Sequence, residues 1–308
     1  MRLIRGVSGG QQRLGSGGAV TIGSFDGIHL GHQALLARLK AHAACLGAPS
    51  VLVTFEPAPR EYLVPADPPA RLTSLRERWR ILAPLDLEYL WLLRFGEMLR
   101  NLSAGAFAQL LVQELRPAVV VVGHDFRFGK NGAATAPVLA EAGRRLGFEV
   151  DVLAPVVLDG ERISSSGVRA ALARGDFAGA RRALGRPWSM RGRVVPGQRL
   201  GADLGFPTAN LPLERRRAPV AGIFAVRVHG VAGVPLAGVA SLGTRPTIGG
   251  TEALLEAHIF DFGGDLYGRE IEVEFVAKLR DEERFATLDA LTAQMRRDAA
   301  GAREILNV

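Results

Sequence analysis

Ala19–Leu36, AVTIGSFDGIHLGHQALL, decides the fold, because it passes from strand to loop to helix within eighteen residues. Ala19–Ile22 is a short apolar run of the kind that forms a buried parallel strand, Gly23–Gly31 is rich in glycine, and Gln33–Leu46 carries apolar residues at helical spacing. The loop therefore stands at the carboxyl end of a strand, where open α/β sheets bind ligands. The helix beginning near Gly31 turns its free N–H groups and positive dipole end toward the same place. Phosphate is the ligand such a site favours. His29 and His32, on either side of Gly31, offer N–H donors to it without the fixed charge of lysine, which suits a transition state with charge building on phosphate oxygens. Gly23, Phe25 and Asp26 of the GSFDG turn join Gly31 as candidate binding residues. An H-x-G-H pair alone is only a helix start with two histidines; the strand and turn before it give it meaning. No third ligand stands at zinc-site spacing, and neither G-x-x-x-x-G-K-[ST] nor, at this strand, G-x-G-x-x-G occurs.

Outward from this stretch the alternation continues. Ser50–Phe55 reads as a second buried strand running into EPAPR (Glu56–Arg60), a proline-fixed turn expected to wall the same pocket. Leu72–Leu82 reads as a helix, Tyr89–Leu93 as a strand, and Ser103–Leu115 as a helix with a serine N-cap, stopped by Pro117. Val119–Val122 is a buried strand, and GHDFRFGKNG (Gly123–Gly132) follows it at the same edge of the sheet. There Asp125 is placed to hold a ribose hydroxyl or base, and Arg127 or Lys130 to meet phosphate; Phe126 and Phe128 look out of place in an ordinary turn. Ala136–Leu146 reads as a helix and Glu149–Leu153 as a strand. ISSSGVRAAL (Ile163–Leu172) then opens a helix with Ser164, Ser165 and Ser166 at its start and Arg169 one turn in, a second anion site where a plain N-cap needs only one serine. The expected architecture for 1–184 is a doubly wound parallel sheet.

Gly185–Ser189 reads as a joint, and 185–308 as a second domain. Six short β-type segments without intervening helices (Arg191–Val195, Thr208–Leu211, Ile223–Val228, Leu236–Leu242, Glu252–Ile259, Ile271–Leu279) predict a small antiparallel barrel. A terminal amphipathic helix, Leu288–Leu306, follows, with Leu288, Leu291, Met295 and Ile305 as inward candidates. GRVVPGQRLGADLGFPTAN (Gly192–Asn210) is the glycine-rich stretch: Gly192, Gly197, Gly201 and Gly205 allow backbone amides to wrap phosphates, although a hairpin with an FPT turn at Pro207 has the same composition. Thr208 and Asn210, two apart, point to one side of a strand and offer hard oxygen ligands to Mg²⁺. Glu256 and His258 share a face of another strand. A carboxylate inside a barrel is costly to bury unless used, which marks Glu256 as the general base for a substrate hydroxyl.

Composition sets the outer limits. The 308 residues, 48% of them hydrophobic, can fill two cores. One cysteine, Cys45, excludes an internal disulfide framework; no amino-terminal stretch resembles a signal peptide and no run is long enough to span a membrane, so the expected compartment is the cytoplasm. The net charge of +7 permits a nucleic-acid partner. The excess is scattered arginine, with lysine only at Lys40, Lys130 and Lys278 and one run at Arg215–Arg217, and no RNP, KH or zinc-finger pattern occurs; neither nucleic acid nor membrane is expected as a partner. The sequence names no protein partner.

GSFDGIHLGH, GHDFRFG and ISSSGVR, followed by GFPTAN, GTRPT, LLEAHIFDF and DLYGREIEVEF, resemble in order the motifs of the bacterial bifunctional riboflavin kinase/FMN adenylyltransferase (FAD synthetase) family, over about Ala19 to Ile305. The resemblance implies a nucleotidyltransferase domain and a kinase barrel that take riboflavin, ATP, FMN and FAD as ligands, with Mg²⁺ in both. It implies that His29 and His32 stabilise the ATP phosphates, that Ser164–Ser166 and Arg169 act on the far side of the nucleotide, that Thr208 and Asn210 hold Mg²⁺–ATP, and that Glu256 is the kinase base. Four positions depart from the usual pattern: Ala58 where histidine is common, Ser166 for threonine, Ala202 where arginine is frequent, and Phe224 for tyrosine. Competing expectations are a nucleotidyltransferase for another substrate and a basic nucleic-acid-binding protein using the barrel as a platform.

Overall fold

The structure is a computed structural model that describes residues 1–7, 17–197, 200–213, 215, 217–247 and 250–308. Most of the polar stretch before Gly17, Gln198 and Arg199 of the glycine-rich run, and Arg216 of the arginine run lie outside the described residues. The chain packs as two compact units, Met1–Pro69 with Arg78–Ser164, and Ala70–Glu77 with Ser165–Val308.

The first unit is built on six parallel strands: β1 (Arg2–Arg5), β2 (Gly18–Ile22), β3 (Ser50–Glu56), β4 (Tyr89–Arg94), β5 (Pro117–Gly123) and β6 (Glu149–Leu153), in the order β1-β4-β3-β2-β5-β6. Val20 pairs with Val51 on one side and Val120 on the other, all fully buried. Continuous apolar runs belong in a sheet covered on both faces, and each such side chain contributes about 1.5–3 kcal/mol by leaving water. Helices α1 (Leu30–Leu46), α3 (Ala104–Leu115) and α4 (Ala136–Leu146) belong to this unit; helix α2 (Leu75–Leu82) starts between α1 and α3 in the chain. Strand order reverses between β2 and β5, so the crevice at the carboxyl ends of these two strands is the topological switch point. Both loops singled out from the sequence leave from it.

The second unit is a nearly closed antiparallel barrel. Its strands β7 (Ser189–Arg193), β8 (Ala209–Pro212), β9 (Gly222–His229), β10 (Leu236–Thr247), β11 (Gly250–Ile259) and β12 (Glu270–Arg280) run in the order β7-β12-β9-β10-β11-β8, and an antiparallel bridge from Val195 to Asn210 draws the two ends together. Helices α5 (Ser165–Ala173) and α6 (Phe177–Leu184) pack with this unit: Val168, Leu172 and Phe177 share its core with Trp188, Phe224 and Phe275. Phe224 is fully buried, edge-on to Phe177 and Phe275, in surroundings that suit an apolar ring.

Helix α7 (Leu288–Leu306) has the predicted bounds, and of its four predicted inward residues Leu291 and Met295 line a cavity of the barrel while the other two do not face inward. Leu288 and Ile305 are 57% and 42% exposed, while Asp298, Ala302 and Leu306 face inward. These three lie at i, i+4 and i+8, a valid helical stripe. Leu288 and Ile305 fall outside this stripe, where the seam takes a small alanine against Phe260 and a carboxylate that pairs with Arg280.

Candidate functional site

At the switch point the chain after β2 follows an unusual path. Gly23 donates its N–H to Val53 of β3, then φ turns positive at Phe25 (48°), Gly27 (82°) and Ile28 (43°). For a β-branched residue such as Ile28 this is a strained conformation costing about 1–3 kcal/mol, of the sort retained at ligand sites. Phe25 and Ile28 are buried, and Asp26 is 9% exposed. His29 then caps α1: its Nδ1 accepts the backbone N–H of His32 at 3.3 Å. The two imidazoles stack with centroids 3.7 Å apart, and Phe25 lies 4.8 Å from the His32 ring. A Cβ on Gly31 would come within 3.1 Å of the His29 ring, so a side chain there would crowd the imidazole. Nδ1 of His32 is buried with no hydrogen-bond partner. Burial pushes the His32 pKa well below its ordinary value, and charge at His29 and Arg78 pushes the same way. His32 is therefore a neutral imidazole.

The loop after β5 brings Asp125 into an ion pair with Arg162. Burial acts to raise the Asp125 pKa, but the hydrogen bond and charge of Arg162 outweigh it and leave the carboxyl below its ordinary range. Arg127 and Lys130 are exposed. The aromatics have a different explanation from the one expected. Phe128 is buried against Phe107, with Phe126 stacked on it at 5.4 Å, so they anchor the loop to the core. Of the serine run, Ser164 ends the first unit and Ser165 opens α5 in the second, where Nε of Arg169 donates to the Ala70 carbonyl at 2.5 Å.

In the barrel the strand register assembles a row. Asn210 of β8 lies opposite Glu256 of β11, and Glu256 opposite Ser241 of β10, so the three side chains share one face. They line a cavity of about 280 Å³ together with Thr208, His258, Arg280, Glu282, Leu291 and Met295. Thr208 also lines a second cavity of about 340 Å³, bounded by Val194, Pro207 and the DFGGDLY turn from Phe262 to Tyr267. Asn210 is 6% exposed; its Nδ2 donates to the Thr208 carbonyl at 3.2 Å, and its Oδ1 has no partner. His258 is turned aside, with Nδ1 2.8 Å from the Pro207 carbonyl.

The glycines of this stretch serve different ends. A Cβ at Gly197 would stand 2.4 Å from the Asn210 amide, at Gly192 it would press on Leu211, and at Gly201 on the Phe206 carbonyl, while Gly205 has φ 84°. Gly201 lines the first cavity. The sequence reading missed Arg280, Glu282, Asp298 and Arg78. The barrel residues come from the end of β12, the turn after it and α7, and no local motif marks them.

Comparison with known proteins gives this geometry its context. Residues 11–167 match the FAD synthetase family and residues 184–306 the riboflavin kinase family. The chain belongs to the bifunctional riboflavin kinase/FMN adenylyltransferase family. The bifunctional enzyme of Escherichia coli K12 is 44% identical over 100% of this chain and 99% of its own length, that of Pseudomonas fluorescens 45% over 99% and 98%, and that of Haemophilus influenzae 40% over the whole of both. A crystal structure described as a macrolide-efflux protein from Streptococcus pneumoniae superposes with a TM-score of 0.79 at 32% identity, covering 98% of this chain and 99% of that one. Among the described residues no helix is long and apolar enough to cross a membrane. As a riboflavin kinase and FMN adenylyltransferase the chain carries out two phosphoryl chemistries, each of which takes a nucleotide.

Proposed function

We propose that the barrel transfers the γ-phosphate of ATP to the 5′-hydroxyl of riboflavin, and that the parallel-sheet module transfers AMP from a second ATP to the FMN produced. The observation that carries the kinase assignment is Thr208 on the walls of two cavities, with the bare, buried Oδ1 of Asn210 beside it. Riboflavin belongs in the cavity with Glu256, Leu291 and Met295, and ATP in the one formed with the DFGGDLY turn. Glu256 takes the hydroxyl proton, the freed oxygen attacks the γ-phosphorus, and ADP leaves. Among the described residues no cluster of three His, Cys, Asp or Glu side chains could hold a metal unaided. The orphaned amide oxygen of Asn210, which lines one cavity with Thr208, instead fits Mg²⁺ carried in on the phosphates, where the ion would offset their charge.

In the other module His29 and His32 donate to the ATP phosphates as charge builds there, a phosphate oxygen of FMN attacks the α-phosphorus, and pyrophosphate leaves. Gly23, Phe25, Asp26 and Gly31 shape the turn. Asp125 and Arg127 face the nucleotide from the β5 loop, and Ser164, Ser165, Ser166 and Arg169 act from its far side. We assign adenylylation to 1–184 and phosphorylation to 185–308. The reading has a cytoplasmic enzyme that takes riboflavin, FMN, FAD and ATP as ligands, with neither nucleic acid nor membrane as a partner.

The test is chromatography of products after mixing the purified protein with riboflavin, ATP and Mg²⁺. FMN followed by FAD is the expected result. FMN without FAD would reject the adenylyltransferase site, and FMN added as substrate but not adenylylated would reject it again. No FMN from riboflavin would reject the kinase reading.

A further inference from the structure

Arg78, on α2, has no part in the roles assigned above, yet it is only 2% exposed. A guanidinium in an interior needs partners for its charge, and both terminal nitrogens of Arg78 have them. Its Nη1 donates to the Ser24 carbonyl at 2.9 Å and to Oγ1 of Thr54 at 3.1 Å, and its Nη2 to Oε2 of Glu56 at 3.1 Å. The Thr54 hydroxyl donates to the same Ser24 carbonyl at 3.3 Å. One cation thus joins the residue that opens the turn after β2 to the last residues of β3.

That turn is the segment with positive φ at Phe25, Gly27 and Ile28, immediately before His29 caps α1. A path of this kind persists only where its surroundings over-determine it. Burial of Phe25 and Ile28 holds its middle, the histidine cap holds its far end, and the Arg78 fork holds its start. We propose that Arg78 is a positioning residue of adenylyl transfer, holding the Ser24 end of the turn so that His29 and His32 meet the nucleotide phosphates. This rests on the reading of the turn as the ATP site. The fork is planar and spans three acceptors at once; an ammonium is a point charge and cannot reproduce it. A displacement of reacting groups by about 1 Å costs about 10²-fold in rate.

The test uses the full-length enzyme with Arg78→Lys and Arg78→Met, measuring kcat and KM for adenylylation of added FMN, and FMN formation from riboflavin in the same preparations. The lysine variant is expected to lose about tenfold in kcat with KM for ATP and FMN within about threefold, and the methionine variant about a hundredfold. FMN formation is expected at the wild-type rate in both. Should the methionine variant fail to fold, the lysine variant decides. A lysine variant with wild-type kcat overturns the proposal, as does loss of both activities together in step with a lowered Tm. His29→Ala separates the proposal from its premise. If that variant is inactive in adenylylation and Arg78→Lys is normal, only the proposal fails; if His29→Ala is also normal, the turn is not the nucleotide site.

Discussion

His32 shows at the scale of one residue what the site demands of the chain. Its ring is packed between Phe25 and His29, and its Nδ1 has no partner, so protonation would place a positive charge in an interior that already holds Arg78. Its folded-state pKa lies well below that of the unfolded chain, which is about 6.5. Between those two values the unfolded state binds more protons than the native one, so stability rises with pH through that window and is lost as pH falls from about 6.5 toward the folded value. The expected outcome is a steeper fall in Tm between about pH 7 and about pH 5.5 for the wild type than for His32→Asn. Equal slopes would show that His32 is not held neutral. Asn210 makes the complementary point: its hydrogen bond through Nδ2 leaves Oδ1 bare, and the lack of a side chain at Gly197 leaves room for the amide.

At the scale of elements, α7 is held to the barrel by charge as well as by apolar packing. Nε and Nη2 of Arg280, at the end of β12, donate to the two oxygens of Asp298, and Gln294 adds a hydrogen bond at 2.8 Å. Asp298 is 7% exposed, and the same helix supplies Leu291 and Met295 to the cavity assigned to riboflavin. Removing one partner of a buried ion pair strands the other. Asp298→Ala should therefore cost about 3 kcal/mol in stability and raise the riboflavin KM about tenfold, while adenylylation of added FMN stays unchanged. An unaltered KM would mean that α7 does not shape the flavin site. Helix α2 carries a similar lesson. The sequence reading began it at Leu72, but Ser74 and Glu77 form a reciprocal cap, with Ser74 N–H to the Glu77 carboxylate at 2.6 Å and Glu77 N–H to Oγ of Ser74 at 3.2 Å, and the helix starts at Leu75. The S-x-x-E signal was present in the sequence and outranked the apolar Leu72, which packs in the core instead.

For the whole molecule the testable statement is that the two activities separate. His29→Ala should lower FAD formation by about 10²–10³ and spare FMN formation. Glu256→Ala should lower FMN formation by about 10²–10⁴ and spare adenylylation of added FMN. Measured by the same chromatography, joint losses would reject the assignment of sites to modules.

What the sequence determined alone were features written in short stretches. The apolar run, glycine turn and histidine pair of Ala19–Leu36 implied a strand, loop and helix at a sheet's carboxyl edge, because periodicity and φ preference are local properties. The six barrel strands were legible for the same reason, and strand alternation picked out Glu256, Thr208 and Asn210, which line one cavity. Tertiary structure decided what depends on residues far apart in the chain. It set Asn210, Glu256 and Ser241 in one row through register, and it placed Thr208 on two cavities. It drew Phe126 and Phe128 into the core, and it chose Asp298 over Leu288 for the inner face of α7. It also put Arg78 beneath a turn that begins 54 residues earlier in the chain. Hydrogen bonding and packing between distant segments leave no periodic trace in the sequence, so these were decided only when the strands paired and the helices settled on them.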